Sequence, residues 1–413
     1  MNKIKATLPF TALALSLAIN PKPSSAQVAE TDCTQLPNPI FFPATTLLES
    51  FLSRVSPVLA DPAIMGEDQM TIVHFPLSSC ITYDLHKDQV PLTGTAIYYL
   101  PNGSQQTCDM PVGGDTKSDL SAMDVGGVTC LGGQTPPAEL KEVPSHVETL
   151  GFVVPRNSSQ TAITATEGYY LMKFGGETDR QVSPWTDPNF INVRNPGSST
   201  QLTIGANIGI SGTMWSGNLQ GNQGSSDLRD VIAAENTTGN AEQVIGILNS
   251  SKWEAVSDDI KVLAFQPFNQ CIGAVFPDST ATSRDKVNVR DGHYPIWTNL
   301  RYILRVDDND SSISDNGAVA AARAQRFVDL MTGNASVENL EVSNAVIETG
   351  NIPTCAMHVQ REIDGGDMST FEHPAPCDCL FLEGNGVESG CATCDANTPC
   401  ATGVCRSGFC EIR

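Results

Sequence analysis

The feature that most constrains the fold of this chain is the crowding of seven of its thirteen cysteines between Cys377 and Cys410. The stretch that holds them, residues 373–413, has little apolar sequence to build a core, so it can fold only if it is cross-linked. Disulfides are the favoured interpretation. A zinc site is the alternative, since Cys391 and Cys394 have ligand-like spacing, although a matching second pair is absent. We therefore predict a small disulfide-rich C-terminal module.

The N-terminus predicts a secretory signal peptide over residues 1–26. Lys3 and Lys5 precede an apolar run, and small residues at its end offer a cleavage site after Ala26. The run is too short to span a bilayer and no later apolar stretch is long enough, so we expect a periplasmic or secreted protein that does not span the membrane. The thirteen cysteines are an odd number, which leaves at least one unpaired or paired between chains; six are dispersed, namely Cys33, Cys80, Cys108, Cys130, Cys271 and Cys355.

The formal net charge of −22 argues against nucleic acids and anionic membrane surfaces as partners. The same charge opposes the binding of a small anion. A local pocket of N–H groups and one guanidinium can still overcome it, because exposed charges more than ~10 Å away are largely screened.

Strand and helix patterns alternate over residues 27–372. Residues 71–75 and 150–154 have the pattern of short strands, while the apolar spacing from Gly317 to Met331 predicts a helix capped by Ser314 or Asp315. Alternation of this kind predicts an α/β fold with mainly parallel sheets.

The segment Arg194-Asn195-Pro196-Gly197-Ser198-Ser199-Thr200 places a cation before a run of hydroxyls that opens a predicted helix. Helix N-termini carry unpaired N–H groups and a positive dipole end, and an arginine adds a planar fork suited to oxyanions. These residues favour an oxyanion pocket. A helix cap beside a surface arginine is the alternative interpretation.

Further segments along the chain have the character of ligand-binding loops. Hydroxyls meet a helix start at Ala44-Thr45-Thr46, and more follow a strand at Leu77-Ser78-Ser79-Cys80. A short apolar stretch, residues 119–125, includes Asp124, and Tyr294-Pro295-Ile296-Trp297 leads into another strand. Each of these alone is typical of a cap or a turn, so their order along the chain carries the information.

That order resembles the periplasmic phosphate-binding proteins of ABC transporters, two-lobed (type II) solute-binding proteins. The Ala-Thr-Phe helix entry of the family is similar to residues 44–46, its Gly-Ser-Ser turn to residues 77–79, and its Asp-Phe-Gly-Ala-Ser-Asp segment loosely to residues 119–124. Its signature Arg-x-x-Gly-Ser-Gly-Thr matches residues 194–200 at the same spacing. The resemblance covers roughly residues 38–345 and does not include the cysteine-rich module.

The resemblance implies an α/β fold of two lobes with a ligand cleft between them. Lobe 1 would combine residues 27–149 with 296–372, and lobe 2 would hold residues 150–295. The chain would cross between the lobes near residues 150–154 and again near 294–297, and the cysteine-rich module would follow at residues 373–413.

The resemblance also implies which side chains bind the ligand. Asp124 would accept a hydrogen bond from the ligand's own proton, which favours hydrogen phosphate over sulfate, because a lone-pair clash in a dry pocket costs several kcal/mol. Ser199 stands where the family has glycine, and Met123, Leu77 and Cys80 also depart from its pattern. These changes weaken the expectation of strict phosphate specificity but leave oxyanion binding in place. The predicted ligand-binding residues are Thr45, Ser78, Asp124, Arg194, Ser198, Ser199 and Thr200.

The function predicted from the sequence is binding of phosphate or a related oxyanion, for uptake through an ABC permease or for sensing. No Gly-x-Ser-x-Gly or His-Glu-x-x-His motif occurs, so we expect no enzyme activity, no cofactor and no metal. The alternative is an extracellular interaction or adhesion protein, in which the lobed fold is a scaffold and the cysteine-rich module contacts a cell-surface partner.

Overall fold

The computed structural model describes residues 31–211, 214–219, 224–268, 270–395 and 397–412. The predicted signal peptide lies outside these ranges. Among the described residues, no helix combines the length and the apolar character needed to cross a bilayer. The α-helices, numbered α1 to α12 in chain order, are Glu49–Leu59, Pro62–Met65, Ser79–Lys87, Gly127–Cys130, Ala165–Phe174, Ser199–Ile208, Ser225–Ala234, Ser250–Glu254, Val287–Arg290, Ala318–Met331, Val342–Glu348 and Asp378–Gly384.

The strands build one large sheet and several two-stranded ladders. The large sheet has the order β4-β3-β2-β1-β5-β11-β6-β8, with β12 paired to β11 and β9 paired to β6. The strands, numbered β1 to β16, are Pro39–Thr45, Thr71–Leu77, Thr95–Tyr99, Gln105–Asp109, Ser121–Met123, Leu140–Pro155, Ala162–Thr164, Gly246–Asn249, Ile260–Val262, Ala264–Gln266, Trp297–Val306, Ser312–Ile313, Val359–Gln360, Ser369–Thr370, Val404–Arg406 and Phe409–Glu411.

The expectation of mainly parallel sheets is wrong. Strand β1 pairs in parallel with β2 and β5, but β11 runs antiparallel to both β5 and β6, and β6 runs antiparallel to β8 and β9. Hydrophobic periodicity marks where a strand lies but carries no information on its direction, which the connections between strands decide.

Four hydrophobic clusters form among the described residues, and the long strands β6 and β11 contribute to the two largest. In the first cluster Phe42 of β1 packs with residues of α1 and α10. In the second, Phe152 of β6 packs with residues of β8 and α5. The chain thus has the expected two-lobed α/β fold. The second cluster also takes in Ile347 and Phe381, and the lobe boundaries stay a prediction.

Helix α10 begins at Ala318, close to the predicted start, but its cap differs from the prediction. Gly317 is the N-cap residue and makes no side-chain capping bond. Ser314 instead donates to Oδ1 of Asp119 at 2.7 Å, and Asp315 pairs with Lys117 at 3.1 Å. Capping by Ser314 or Asp315 is therefore wrong, because both side chains are used in tertiary contacts.

Twelve of the thirteen cysteines form disulfides, and the exposed Cys271 is free. Cys391 and Cys394 bond to different cysteines, which leaves neither as a thiolate ligand for the alternative zinc site. The pairs are Cys33–Cys108, Cys80–Cys130, Cys355–Cys377, Cys379–Cys391, Cys394–Cys405 and Cys400–Cys410.

The cysteine-rich module is docked on the second cluster through helix α12. Leu380 and Phe381 are buried in that cluster. The buried carboxylate of Glu411, in the C-terminal strand, accepts hydrogen bonds from the backbone N–H groups of Cys379 at 3.1 Å and Leu380 at 3.0 Å. A carboxylate at the first turn of α12 satisfies donors that have no partner within the helix. The module therefore has apolar and polar contacts that supplement its disulfides.

Candidate functional site

Several helix starts converge on one small cavity, which we call the hydroxyl pocket. Thr45 ends β1 and caps the short 3₁₀ helix Thr46–Leu48 that leads into α1. Ser78 precedes α3, Ser198 precedes α6, and Ser225 opens α7. Helix starts carry backbone N–H groups without partners inside the helix and the positive end of a dipole. The pocket is lined by Thr45, Thr46, Leu47, Ser78, Ser79, Arg194, Ser198, Ser199, Thr200 and Ser225.

The serines that precede α3 and α6 do not cap their own helices. Ser78 and Ser198 are the N-cap residues, yet neither side chain accepts a hydrogen bond from its helix. Ser198 is only 4 % exposed, so its hydroxyl faces the protein interior. These observations favour the pocket over the capping interpretation of residues 194–200.

Asp124 lies directly behind the pocket wall. It follows β5, whose parallel pairing with β1 sets Ala122 beside Ala44 and so brings Asp124 close to Thr45. Its Oδ2 accepts hydrogen bonds from the hydroxyls of Thr45 at 2.6 Å, Ser199 at 2.9 Å and Ser79 at 3.5 Å. The carboxylate is fully buried, and these hydroxyls stand between it and the cavity.

Burial raises the pKa of Asp124 to about 6, although hydrogen bonds from Thr45, Ser199 and Ser79 and the charge of Arg194 act in the opposite direction. A second buried carboxyl, Glu148 of β6, has its pKa raised well above the ordinary value, first by burial and then by the charge of Asp124. Both carboxyls therefore hold protons more readily than exposed ones do.

Arg194 supplies the positive charge of the pocket. It is 6 % exposed, its Nη1 donates to the hydroxyl of Ser225, and its backbone N–H donates to Oε1 of Gln201 at 3.0 Å. Burial lowers the pKa of Arg194 to about 10, opposed by the charges of Asp227 and Asp124. The guanidinium is therefore still charged at neutral pH, in a site with little water to screen it.

The structure brings the predicted site residues together. Thr45, Ser78, Arg194, Ser198, Ser199 and Thr200 line the pocket, and Asp124 contacts it through hydroxyls. Thr200 contributes a buried Oγ1 that has no hydrogen-bond partner among the described residues. The segment 294–297 does not line it, since Tyr294 is buried and donates to the carbonyl of Leu150 at 2.9 Å.

Four residues that line the pocket are absent from the predicted ligand-binding set, namely Thr46, Leu47, Ser79 and Ser225. Ser79 follows the predicted Ser78 and is the first residue of α3. Ser225 sits in a Gly-Ser-Ser run at the start of α7, which repeats the hydroxyls at a helix start seen at the other loops. That repeated pattern was the available signal, but only the fold places Ser225 against Arg194.

The hydroxyl pocket is compact, with a volume of about 10 Å³. That volume is near the lower limit for one ordered water, so a tetrahedral anion enters only if the hydroxyls that face Asp124 move aside. The next cavity, which shares Thr46 and Ser225 with it, measures about 200 Å³.

No protein-family model and no curated protein matches the chain. Among solved structures, it is similar to a putative phosphate ABC transporter substrate-binding protein with bound phosphate from Clostridium perfringens, at 13 % identity and a TM-score of 0.47 over 77 % of this chain and 100 % of that one. It is also similar to an ABC-type phosphate transport receptor from Vibrio cholerae, at 14 % identity and a TM-score of 0.46 over 76 % of this chain and 99 % of that one. A third similar structure is a CcmR regulatory domain from Synechocystis in complex with 2-PG, at 12 % identity and a TM-score of 0.37 over 74 % of this chain and 99 % of that one.

Proposed function

We propose that this protein binds a protonated oxyanion of the phosphate type in the hydroxyl pocket, without catalysing a reaction. The observation that carries the proposal is the convergence of several helix N-termini, their hydroxyls and the buried Arg194 on one cavity backed by Asp124. Charge-assisted hydrogen bonds from such donors are about twice as strong as neutral ones. The site's chemistry is therefore matched to an anion that also carries a proton.

Asp124 gives the proposed site its preference among oxyanions. Once a ligand displaces the hydroxyls, an ionised carboxylate can accept a hydrogen bond only from a ligand that has a proton to donate. Fully deprotonated sulfate would face a lone-pair clash in a buried site, at a cost of several kcal/mol. Phosphate at neutral pH retains a proton and avoids that cost.

We further propose that the protein is exported and hands its ligand to an ABC permease or serves as a sensor. Six disulfides support an oxidising compartment. Opening and closing between the two hydrophobic clusters along β6 and β11 would admit and enclose the ligand.

Calorimetric titration of the purified chain with inorganic phosphate tests the binding proposal. We expect binding by the wild type and a loss of at least a hundredfold in affinity in Arg194→Ala. Arg361→Ala is the matched control, because Arg361 is a buried arginine, stacked on Trp297 with its Cζ 3.8 Å from the ring centroid, outside the pocket. No binding of phosphate or a phosphate ester by the folded wild type at millimolar concentration would overturn the proposal.

An interaction or adhesion protein is the second candidate function. It is favoured by the direct hydrogen bond from Ser199 to Asp124, which closes the pocket with the protein's own hydroxyl. On this view the fold is retained as a scaffold and the cysteine-rich module contacts a partner. Absence of anion binding, together with loss of cell-surface attachment when residues 386–413 are deleted, would support it.

A further inference from the structure

We propose that the natural ligand is a small phosphate monoester whose substituent carries a hydroxyl, and that the cavity next to the hydroxyl pocket holds this substituent. This inference rests on the proposed function, since it takes the hydroxyl pocket as the site of the phosphoryl group. We call the second space the adjoining cavity; it is lined by Thr46, Glu49, Gly224, Ser225, Ser226, Asp227 and Lys252.

The two spaces are neighbours with a shared wall. Thr46 and Ser225 line both of them. The hydroxyl pocket, at about 10 Å³, has no room for a substituent, whereas the adjoining cavity measures about 200 Å³. A ligand gripped by Arg194 beside Ser225 would therefore direct any substituent into the adjoining cavity.

Lys252 gives the adjoining cavity a specific chemistry. It is 6 % exposed, and an ammonium group has three N–H donors. Among the described residues its Nζ has one hydrogen bond, to the hydroxyl of Ser226 at 3.3 Å, and the carboxyls of Glu49 and Glu148 act on it through their charge alone. A buried cation with so few partners is costly, and an acceptor on the ligand would relieve that cost.

Glu49 on α1 supplies an acceptor on the cavity wall. Burial raises its pKa, and the charge of Lys252 opposes that rise. The two charges therefore interact, although the two side chains form no ion pair in the part of the chain that the structure describes. Burial likewise lowers the pKa of Lys252, opposed by Glu49. A hydroxyl can accept from Lys252 and donate to Glu49, which an apolar substituent cannot do.

A phosphate monoester with a single negative charge keeps the proton that Asp124 would accept. Arg194 and Lys252 place two buried positive charges beside it, and Glu49 and Asp227 also line the adjoining cavity. The backbone N–H of Gly224 is already satisfied by Asp227 at 2.7 Å, and Lys252 is the positively charged donor among the residues that line the cavity.

Titration of the full chain with glycerol 3-phosphate, 3-phosphoglycerate and inorganic phosphate tests the inference. We expect the wild type to bind at least one ester at least tenfold more tightly than inorganic phosphate. Lys252→Met should remove that advantage and leave the affinity for inorganic phosphate within threefold. Lys261→Met is the matched control, since Lys261 is a partly buried lysine outside both spaces that donates to the carbonyl of Ser158.

A second variant tests the same inference without changing Lys252. Ser226→Phe should fill the adjoining cavity, weaken the ester at least tenfold and spare inorganic phosphate. If the wild type binds inorganic phosphate as tightly as both esters, or if Lys252→Met weakens all ligands equally, the inference is overturned while the proposed function stands. If the folded wild type binds none of the three ligands, the proposed function itself fails.

Discussion

The hydroxyl of Ser199 donates to Oδ2 of Asp124 at 2.9 Å, and this bond joins the first residue of α6 to the residue that follows β5. It connects two parts of the chain that belong, in the predicted division, to different lobes. On the proposed function, a protonated ligand would replace this bond at Oδ2, on the side of the pocket hydroxyls, whereas Oδ1 is buried and has no hydrogen-bond partner among the described residues. Ligand binding and this hydrogen bond are therefore expected to compete.

Replacing Ser199 by alanine should increase the affinity for inorganic phosphate about tenfold. The hydrogen bond to a charged carboxylate contributes about 1.5–3 kcal/mol, and in the variant the ligand no longer has to displace it. Ser199→Thr retains the hydroxyl and should bind like the wild type. Calorimetric titration measures all three proteins; weaker binding by Ser199→Ala would show instead that Ser199 is a ligand donor.

Asp124→Asn should reduce the discrimination between phosphate and sulfate at least tenfold. An amide can donate to sulfate, whereas the carboxylate can only repel an acceptor that has no proton. Competition of sulfate against bound phosphate measures the ratio of the two affinities. Discrimination that is unchanged in the variant would contradict the role proposed for Asp124.

The raised pKa of Asp124 should make the unliganded protein less stable as the pH rises. Its pKa is about 6 in the folded state and near 3.9 in an unfolded chain, so between these values the folded state holds more protons. The stabilisation is therefore complete below pH 4 and is lost through pH 6, by up to about 3 kcal/mol. Asp124→Asn should flatten this part of the profile in urea unfolding from pH 4 to 7.

Glu148→Gln is the companion variant for that profile. Burial raises the pKa of Glu148 in the same direction, so Glu148→Gln should also reduce the loss of stability as the pH rises. An unchanged slope in both variants would locate the pH dependence elsewhere in the chain.

Loss of the Cys80–Cys130 disulfide should destabilise the protein by about 2–4 kcal/mol. The bond closes a loop with a sequence separation of 50 and ties the start of α3, where Ser79 lies, to α4. A double alanine variant should therefore also weaken phosphate binding. Cys271→Ser, at the exposed free cysteine, is the control and should leave the unfolding midpoint unchanged.

Phe381→Ala should destabilise the chain by about 3–5 kcal/mol, the usual cost of removing a buried phenylalanine. Phe381 is 1 % exposed and belongs to the second hydrophobic cluster. Val404 belongs to the same module and is 43 % exposed. Val404→Ala should therefore change the free energy of unfolding by less than about 0.5 kcal/mol. Equal melting temperatures for Phe381→Ala and the wild type would mean that the module is not docked on the second cluster.

Local patterns predicted several elements close to their observed limits. The helix predicted up to Met331 runs from Ala318 to that residue, and the strand predicted at residues 71–75 extends from Thr71 to Leu77. The limits of these elements depend on the spacing of apolar side chains and on the position of glycine. Both are local properties, so a short stretch of sequence is enough to predict them. The predicted cap of α10 is wrong because the Ser314 side chain donates a hydrogen bond to a distant residue, Asp119.

The sequence by itself determined the chemistry available at the candidate site and the need for cross-links in the C-terminal module. The order of Thr45, Ser78, Asp124 and Arg194, and the cysteines after residue 376, are visible without coordinates. Only the tertiary structure decided that β11 runs antiparallel to β5 and β6, that Ser225 meets Arg194, and that Lys252 lines the cavity next to them. The physical reason is that strand direction, burial and charge pairing depend on contacts between distant segments, which the topology of the folded chain creates.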